Sequence, residues 1–142
     1  MLEFIVYGEP KGKGRPRFNR KTGTAYSPTA TKDYEDLVRL SFINTYKGVM
    51  SYGMQPYGMH IPLRATIEAF YALPKSGSRA RKSRMLENIE RPTKKPDTDN
   101  IAKIILDALN GLAYHDDAQI VELKLIKCYG EIPCVRVKIE EV

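Results

Sequence analysis

Residues 99–112 carry Ile101, Ile104, Ile105, Ala108, Leu109 and Leu112 at a spacing that lines them along one side of a helix. Asp99, Lys103, Asp107 and Asn110 fall on the opposite side of that helical wheel, and Gly111 stands near the expected C-terminal cap. A helix this one-sided has to bury its stripe against a second layer. The rest of the chain supplies one. Leu63, Ala65, Ile67, Ala69 and Tyr71 alternate with Arg64, Thr66 and Glu68, and Val135, Val137 and Ile139 alternate with Arg136, Lys138 and Glu140. Both patterns have the two-residue period of a half-exposed strand. Leu2–Tyr7 reads as a first strand, and Gln119–Lys127 as another with Val121, Leu123 and Leu125 facing in. Thr31–Lys47 has a second helical stripe at 34, 37, 38, 41, 42, 45 and 46, and a short helix is expected around Arg79–Ile89. The order predicts an α/β protein of α+β type. It should be a single small domain over 1–142, with a mixed sheet and helices mainly on one face.

A chain of 142 residues buries roughly two-thirds of its unfolded surface and needs no metal or disulfide to fold. His60, His115, Cys128 and Cys134 are scattered without zinc-site spacing, and the two cysteines are expected to be reduced, partly buried thiols. There is no apolar run long enough to span a bilayer, and the opening MLEFIVYGEP lacks the basic lead of a signal peptide. A cytoplasmic protein without a membrane partner is expected.

Charge is concentrated rather than spread. The net charge is +6, yet Lys11–Lys21 holds six basic residues and no acid, and Lys75–Lys95 holds eight basic residues and two acids. The two windows carry +12 and the remainder −6. Such segments suit a polyanion. They also suit plain solvated loops, and a basic hairpin guarding a sheet edge is a further reading of the first. Residues 9–28 are rich in glycine and proline and read as an irregular arm with flexible turns, whose backbone N–H groups beside Lys13, Arg15 and Arg17 could approach phosphates. Residues 48–60 break the preceding helix and should lie on the surface or cover an edge, with their methionines and tyrosines packing rather than binding.

Candidate chemistry lies in PDTDNIAK (96–103) and YHDDAQI (114–120). Asp97 and Asp99 stand at a helix start, Lys103 follows one turn on, and Asp116 and Asp117 sit in the loop after the helix. Converging carboxylates repel, and a hard divalent cation such as Mg²⁺ removes that cost using oxygen ligands alone. Beside so much positive charge, a phosphodiester is the natural substrate. Asp97 as a simple N-cap, Asp99 and Lys103 as a surface pair, and Asp116–Asp117 as a turn are equally consistent with the residues.

The run D97-T98-D99-N100-I101-A102-K103, then D107-A108-L109-N110-G111 and D116-D117-A118-Q119-I120, resembles the RusA family of Holliday junction resolvases. The arm G8-E9-P10-K11-G12-K13-G14-R15-P16-R17 is similar to that of phage and Gram-positive members. The resemblance covers nearly the whole chain. It implies a small dimeric endonuclease, often prophage-encoded, that cuts four-way DNA junctions symmetrically with Mg²⁺ or Mn²⁺. It implies metal ligands at Asp97, Asp99 and Asp117, an essential lysine at Lys103, and supporting roles for Asn100 and Asp116. Lys11, Lys13, Arg15, Arg17, Arg79, Arg81 and Arg84 would hold the DNA backbones. His115 departs from the best-known member and is expected to serve loop hydrogen bonding. The 48–60 loop and the long basic stretch 75–95 depart as well. Other branched or flap DNA as substrate, and a non-catalytic DNA-binding module, are the competing readings.

Overall fold

The computed structural model describes residues 1–47 and 55–142. A four-stranded sheet has the order β1 (Leu2–Tyr7), β6 (Cys134–Glu141), β4 (Leu63–Ala72), β5 (Ile120–Gly130). β6 runs antiparallel to both β1 and β4, whereas β4 and β5 are parallel. A parallel pair needs a crossover. It is made by α2 (Arg79–Leu86) and α3 (Thr98–Ala108). With α1 (Thr29–Thr45), the described residues hold three helices on a mixed sheet, the α+β arrangement expected.

The alternation in the strands becomes burial. Phe4, Val6, Leu63, Ala65, Ile67, Ala69, Val135, Val137 and Ile139 form one face of the core, and α1 and α3 cover it with Tyr34, Val38, Phe42, Ile101, Ile104, Ile105 and Leu109. Removing a ring such as Phe42 from this layer would cost about 3–5 kcal/mol. The α3 stripe appears as expected, although the helix closes at Ala108 and Gly111 turns the chain with φ of +74°. α1 starts two residues earlier than the spacing suggests, directly after Pro28, whose fixed φ suits a helix entrance. Leu37 of its expected stripe is 40% exposed.

Two expectations need correction. Val121 and Leu123 are not buried: they are 59% and 49% exposed, although Leu123 pairs with Ala65 on the core side of the sheet, and of the three only Leu125 packs on the core. β5 is an edge strand, and the β4–β5 register slips between Leu63 and Arg64, so that Val121 is the extra residue with no partner on β4. The arm is also not irregular throughout, since β2 (Arg17–Asn19) and β3 (Thr24–Tyr26) pair antiparallel as a separate two-stranded hairpin. Within 48–60, residues 48–54 lie outside the described residues. Tyr57 is buried and donates its hydroxyl to the Ile139 carbonyl at 2.9 Å, as packing requires, whereas Met59 is 56% exposed.

Candidate active site

Asp97 occupies the N-cap position of α3, yet its side chain makes no capping hydrogen bond. Its backbone carbonyl accepts from Ile101 at 3.0 Å, so the helix starts without the carboxylate, which stays exposed. Just before it, the Pro96 carbonyl accepts the hydroxyl of buried Tyr71 at 2.9 Å. That bond ties the helix start to β4. Asp99 lies in the first turn, and Lys103 is exposed one turn on. Among the described residues Lys103 forms no ion pair, so the expected alternative of a simple Asp99–Lys103 surface pair is not realised.

The arm crosses this helix start and is closely fitted to it. Lys13 donates its backbone N–H to the Asn100 carbonyl at 2.9 Å, and Gly14 donates to Thr31 Oγ1 at 3.0 Å. A methyl group on Gly12 would stand 2.9 Å from Pro96 Cβ and 3.0 Å from Asn100 Cβ, and one on Gly14 would stand 2.7 Å from Thr31 Oγ1. These two glycines are there for close approach rather than for flexibility.

Where arm and helix meet, Glu9, Lys11, Lys13, Arg15, Tyr71, Lys94, Lys95, Asp97 and Asn100 are among the residues lining an open cavity of about 800 Å³. Cations from both basic windows therefore meet beside Asp97. Sequence reasoning assigns no site role to Lys94, Lys95, Tyr71 or Glu9, which the fold brings to the cavity. The position of the two lysines directly before Pro96–Asp97 was the available signal. Lys94 and Lys127 place their ammonium groups 5.8 and 5.3 Å from the Tyr71 ring centroid.

Lys13 differs from its neighbours. Its ammonium lies 2.8 Å from Glu35 Oε1 on α1 and 3.3 Å from Asp107 Oδ2 on α3. Burial alone would lower its pKa, but the two carboxylates outweigh that and hold it above the ordinary lysine value. Arg81 is likewise paired, with Glu90 at 3.1 Å, while Arg79 and Arg84 are exposed on α2 and free of ion pairs among the described residues. None of these three lines the cavity beside Asp97.

The second acidic group lies at the other end of α3. Asp117 opens a short 3-10 turn, and its backbone N–H donates to Asn110 Oδ1 at 2.7 Å. Its carboxyl is pushed up to about 6, foremost by burial and then by the nearby carboxylates of Asp116 and Asp107. Gln119 holds this loop: its Oε1 accepts from the N–H groups of His115 and Asp116 at 2.9 and 3.2 Å. Its Nε2 donates to the carbonyls of Gly58 and Ile61 at 2.9 and 3.0 Å. His115 thus enters the loop's hydrogen bonding through its backbone, with its side chain exposed.

The donors are all carboxylate oxygens, the set a hard divalent cation takes. They do not converge within the chain. Asp107, beside Asp117, is eight residues after Asp99, about 12 Å along the helix axis, and among the described residues no three His, Cys, Asp or Glu side chains form a group able to hold a metal. The structure brings Asp97 and Asp99 to one end of α3 and gathers Asp107, Asp116 and Asp117 at the other.

Comparison with known proteins decides the family: residues 7–140 match the one described as Endodeoxyribonuclease RusA. The chain belongs to the RusA endodeoxyribonuclease family. A relative in Bacillus subtilis (strain 168), named only as the uncharacterized protein YqaN, is 36% identical over 145 residues, covering 99% of this chain and 96% of that protein. The RusA match spans the arm, both basic windows and both acidic groups, so the cavity beside Asp97 belongs to a DNA nuclease. No helix among the described residues is long and apolar enough to cross a membrane.

Proposed function

We propose that this RusA-family nuclease is a divalent-metal-dependent enzyme that cuts four-way DNA junctions symmetrically as a homodimer in the cytoplasm. The observation carrying this reading is the Asp97 carboxylate, unused as a cap, opening into a cavity walled by cations of both basic windows. Asp97 and Asp99 would hold Mg²⁺, or Mn²⁺ in its place, since Mg²⁺ commonly takes one or two carboxylates together with water and substrate phosphate. When bound, the cation polarises a phosphate oxygen and lowers the pKa of the attacking water.

Asp117 stands at the far end of α3 from this pair and has two carboxylate neighbours that raise the cost of its charge. It would join the shell from the second copy of the chain, so that each site of a two-fold dimer draws on both subunits. Exposed apolar side chains on α1 (Leu37, Leu40, Ile43) and β5 (Val121, Leu123) support self-association. The ammonium of Lys103, free of ion pairs among the described residues, stabilises charge developing on the leaving oxygen. Lys11, Arg15, Lys94 and Lys95 hold the scissile strand at the cavity, and Arg17, Arg79 and Arg84 hold the arms farther out. Asp116 and Asn100 support: one shapes the Asp117 loop, and the other anchors the arm through its carbonyl.

The test is cleavage of synthetic four-way junctions, flaps and linear duplexes in Mg²⁺. Paired symmetric nicks in junctions alone are expected, and Asp97→Asn should abolish them while leaving junction binding intact. Equal cutting of flaps would transfer the substrate to other branched DNA. An unchanged rate in Asp97→Asn would remove the carboxylate from the chemistry.

A further inference from the structure

The β2–β3 hairpin exposes aromatic surface that the fold does not use. Every residue of its two strands is exposed, Phe18 by 64% and Tyr26 by 47%. Directly opposed residues share a face of a hairpin. Phe18 stands opposite Ala25, whose methyl leaves the ring open, and Tyr26 stands opposite Arg17 on the other face. The hairpin is nonetheless well formed. Asn19 Oδ1 accepts from the N–H of Lys21 at 2.9 Å, and Gly23 donates to the Asn19 carbonyl at 2.8 Å with φ of +72°. The tip carries Arg20 and Lys21, and the base leads back to the arm seated on α1 through Gly14.

Charge selects the occupant. Arg15, Arg17, Arg20 and Lys21 form no ion pair among the described residues, and no acid interrupts the chain from Pro10 to Lys32. A finger with free cations along it and an open aromatic ring on its flank is complementary to nucleic acid with accessible base faces. Stacked duplex bases offer no such face, whereas a branch point or a single strand does.

We propose that the β2–β3 hairpin is a base-stacking finger, in which Phe18, with Tyr26 on the opposite flank, packs against unstacked bases at the branch of the DNA. This deepens the nuclease reading by naming what distinguishes branched from linear substrate, and it rests on that reading only for its DNA. Binding is therefore measured in EDTA, where cleavage plays no part.

The full-length protein and Phe18→Ala are titrated with a labelled four-way junction, a single strand and a linear duplex at fixed salt, with thermal melting as the check on folding. Phe18→Ala should weaken junction and single-strand binding about tenfold, equivalent to about 1.4 kcal/mol. Duplex affinity should stay unchanged, and Phe18→Trp should restore the loss. Arg20→Ala should instead weaken all three DNAs together and lower the salt dependence. Wild-type affinities in Phe18→Ala, or an equal loss on duplex, would overturn the finger. A shift in oligomeric state on sedimentation with unchanged DNA discrimination would overturn it too, because Phe18 would then be contacting a second copy. Absence of metal-dependent cutting in the wild type would count against the nuclease reading while leaving these binding results to decide the finger.

Discussion

Lys13 is the residue whose removal separates fold from DNA grip. Its ammonium is shared between Glu35 at 2.8 Å and Asp107 at 3.3 Å, and Glu35 is only 9% exposed. Lys13→Met keeps the aliphatic stem but leaves Glu35 with Arg39, 3.7 Å away, as its remaining cation. Stripping a fully buried pair of one partner costs about 3–5 kcal/mol. The half-open setting and the retained Arg39 bring the expected loss to about 2 kcal/mol, or about 6 °C in Tm. Melting at neutral pH measures it, and adding Glu35→Gln should recover much of the loss as a coupling between the two sites. Because the folded lysine pKa is raised, its contribution is complete below the ordinary lysine value and disappears as pH rises through the raised one. Lys11→Met is the control: exposed in the same arm, it should leave Tm unchanged and lower the salt dependence of DNA binding by about one phosphate contact. If Lys13→Met melted like the wild type and behaved as Lys11→Met does on DNA, the ion network would carry no stability and Lys13 would be a phosphate contact.

The remaining expectations follow from the two ends of α3. Asp117 in the metal-free protein has a folded pKa near 6, above its unfolded value, so its ionisation opposes folding. That opposition is absent below about pH 4 and complete above about pH 7. In EDTA, Asp117→Asn should stabilise the protein by about 1 kcal/mol at neutral pH, after allowing for solvent screening, and by nothing at pH 4. Urea titrations at the two pH values check this, and equal effects at both would refute it. Inactive Asp97→Asn and inactive Asp117→Asn, mixed and allowed to exchange subunits, should regain about a quarter of wild-type nicking, because one shared site is whole in half of the dimers. Sites built within single subunits would regain none. Gly12→Ala forces a methyl group against Pro96 and Asn100 and should lower Tm, at about 1–3 kcal/mol, together with cleavage. Unchanged melting and cutting would mean that the arm is not held where it crosses α3.

What periodicity can report, the sequence reported well. β1, β4, β6 and α3 are each one-sided, and burial follows the pattern residue by residue. Val121 and Leu123 mark the limit, since alternation says which side of a strand is apolar but not whether a helix reaches over it. The hairpin was only one of the readings open for the arm, because its strands are three residues long, mix aromatic, polar and cationic side chains without a buried face, and have no core of their own. In the site, the types and order of the residues were legible, whereas distances were not. Motif neighbours Asp99 and Asp117 are held apart by the length of the helix between them. Lys13 finds its acids at Glu35 and Asp107, far away in sequence, and no local spacing announces either. Lys94 and Lys95 reach the cavity only because the arm folds back over Pro96.

The seating of the arm has a consequence for how the protein is born. Residues 10–14 leave the ribosome well before Asn100 and Asp107, which hold Lys13 from the α3 side. A nascent or truncated chain thus possesses its cations long before it can fix them beside the acids. Gripping and cutting mature together, and a half-made molecule carries neither in working order.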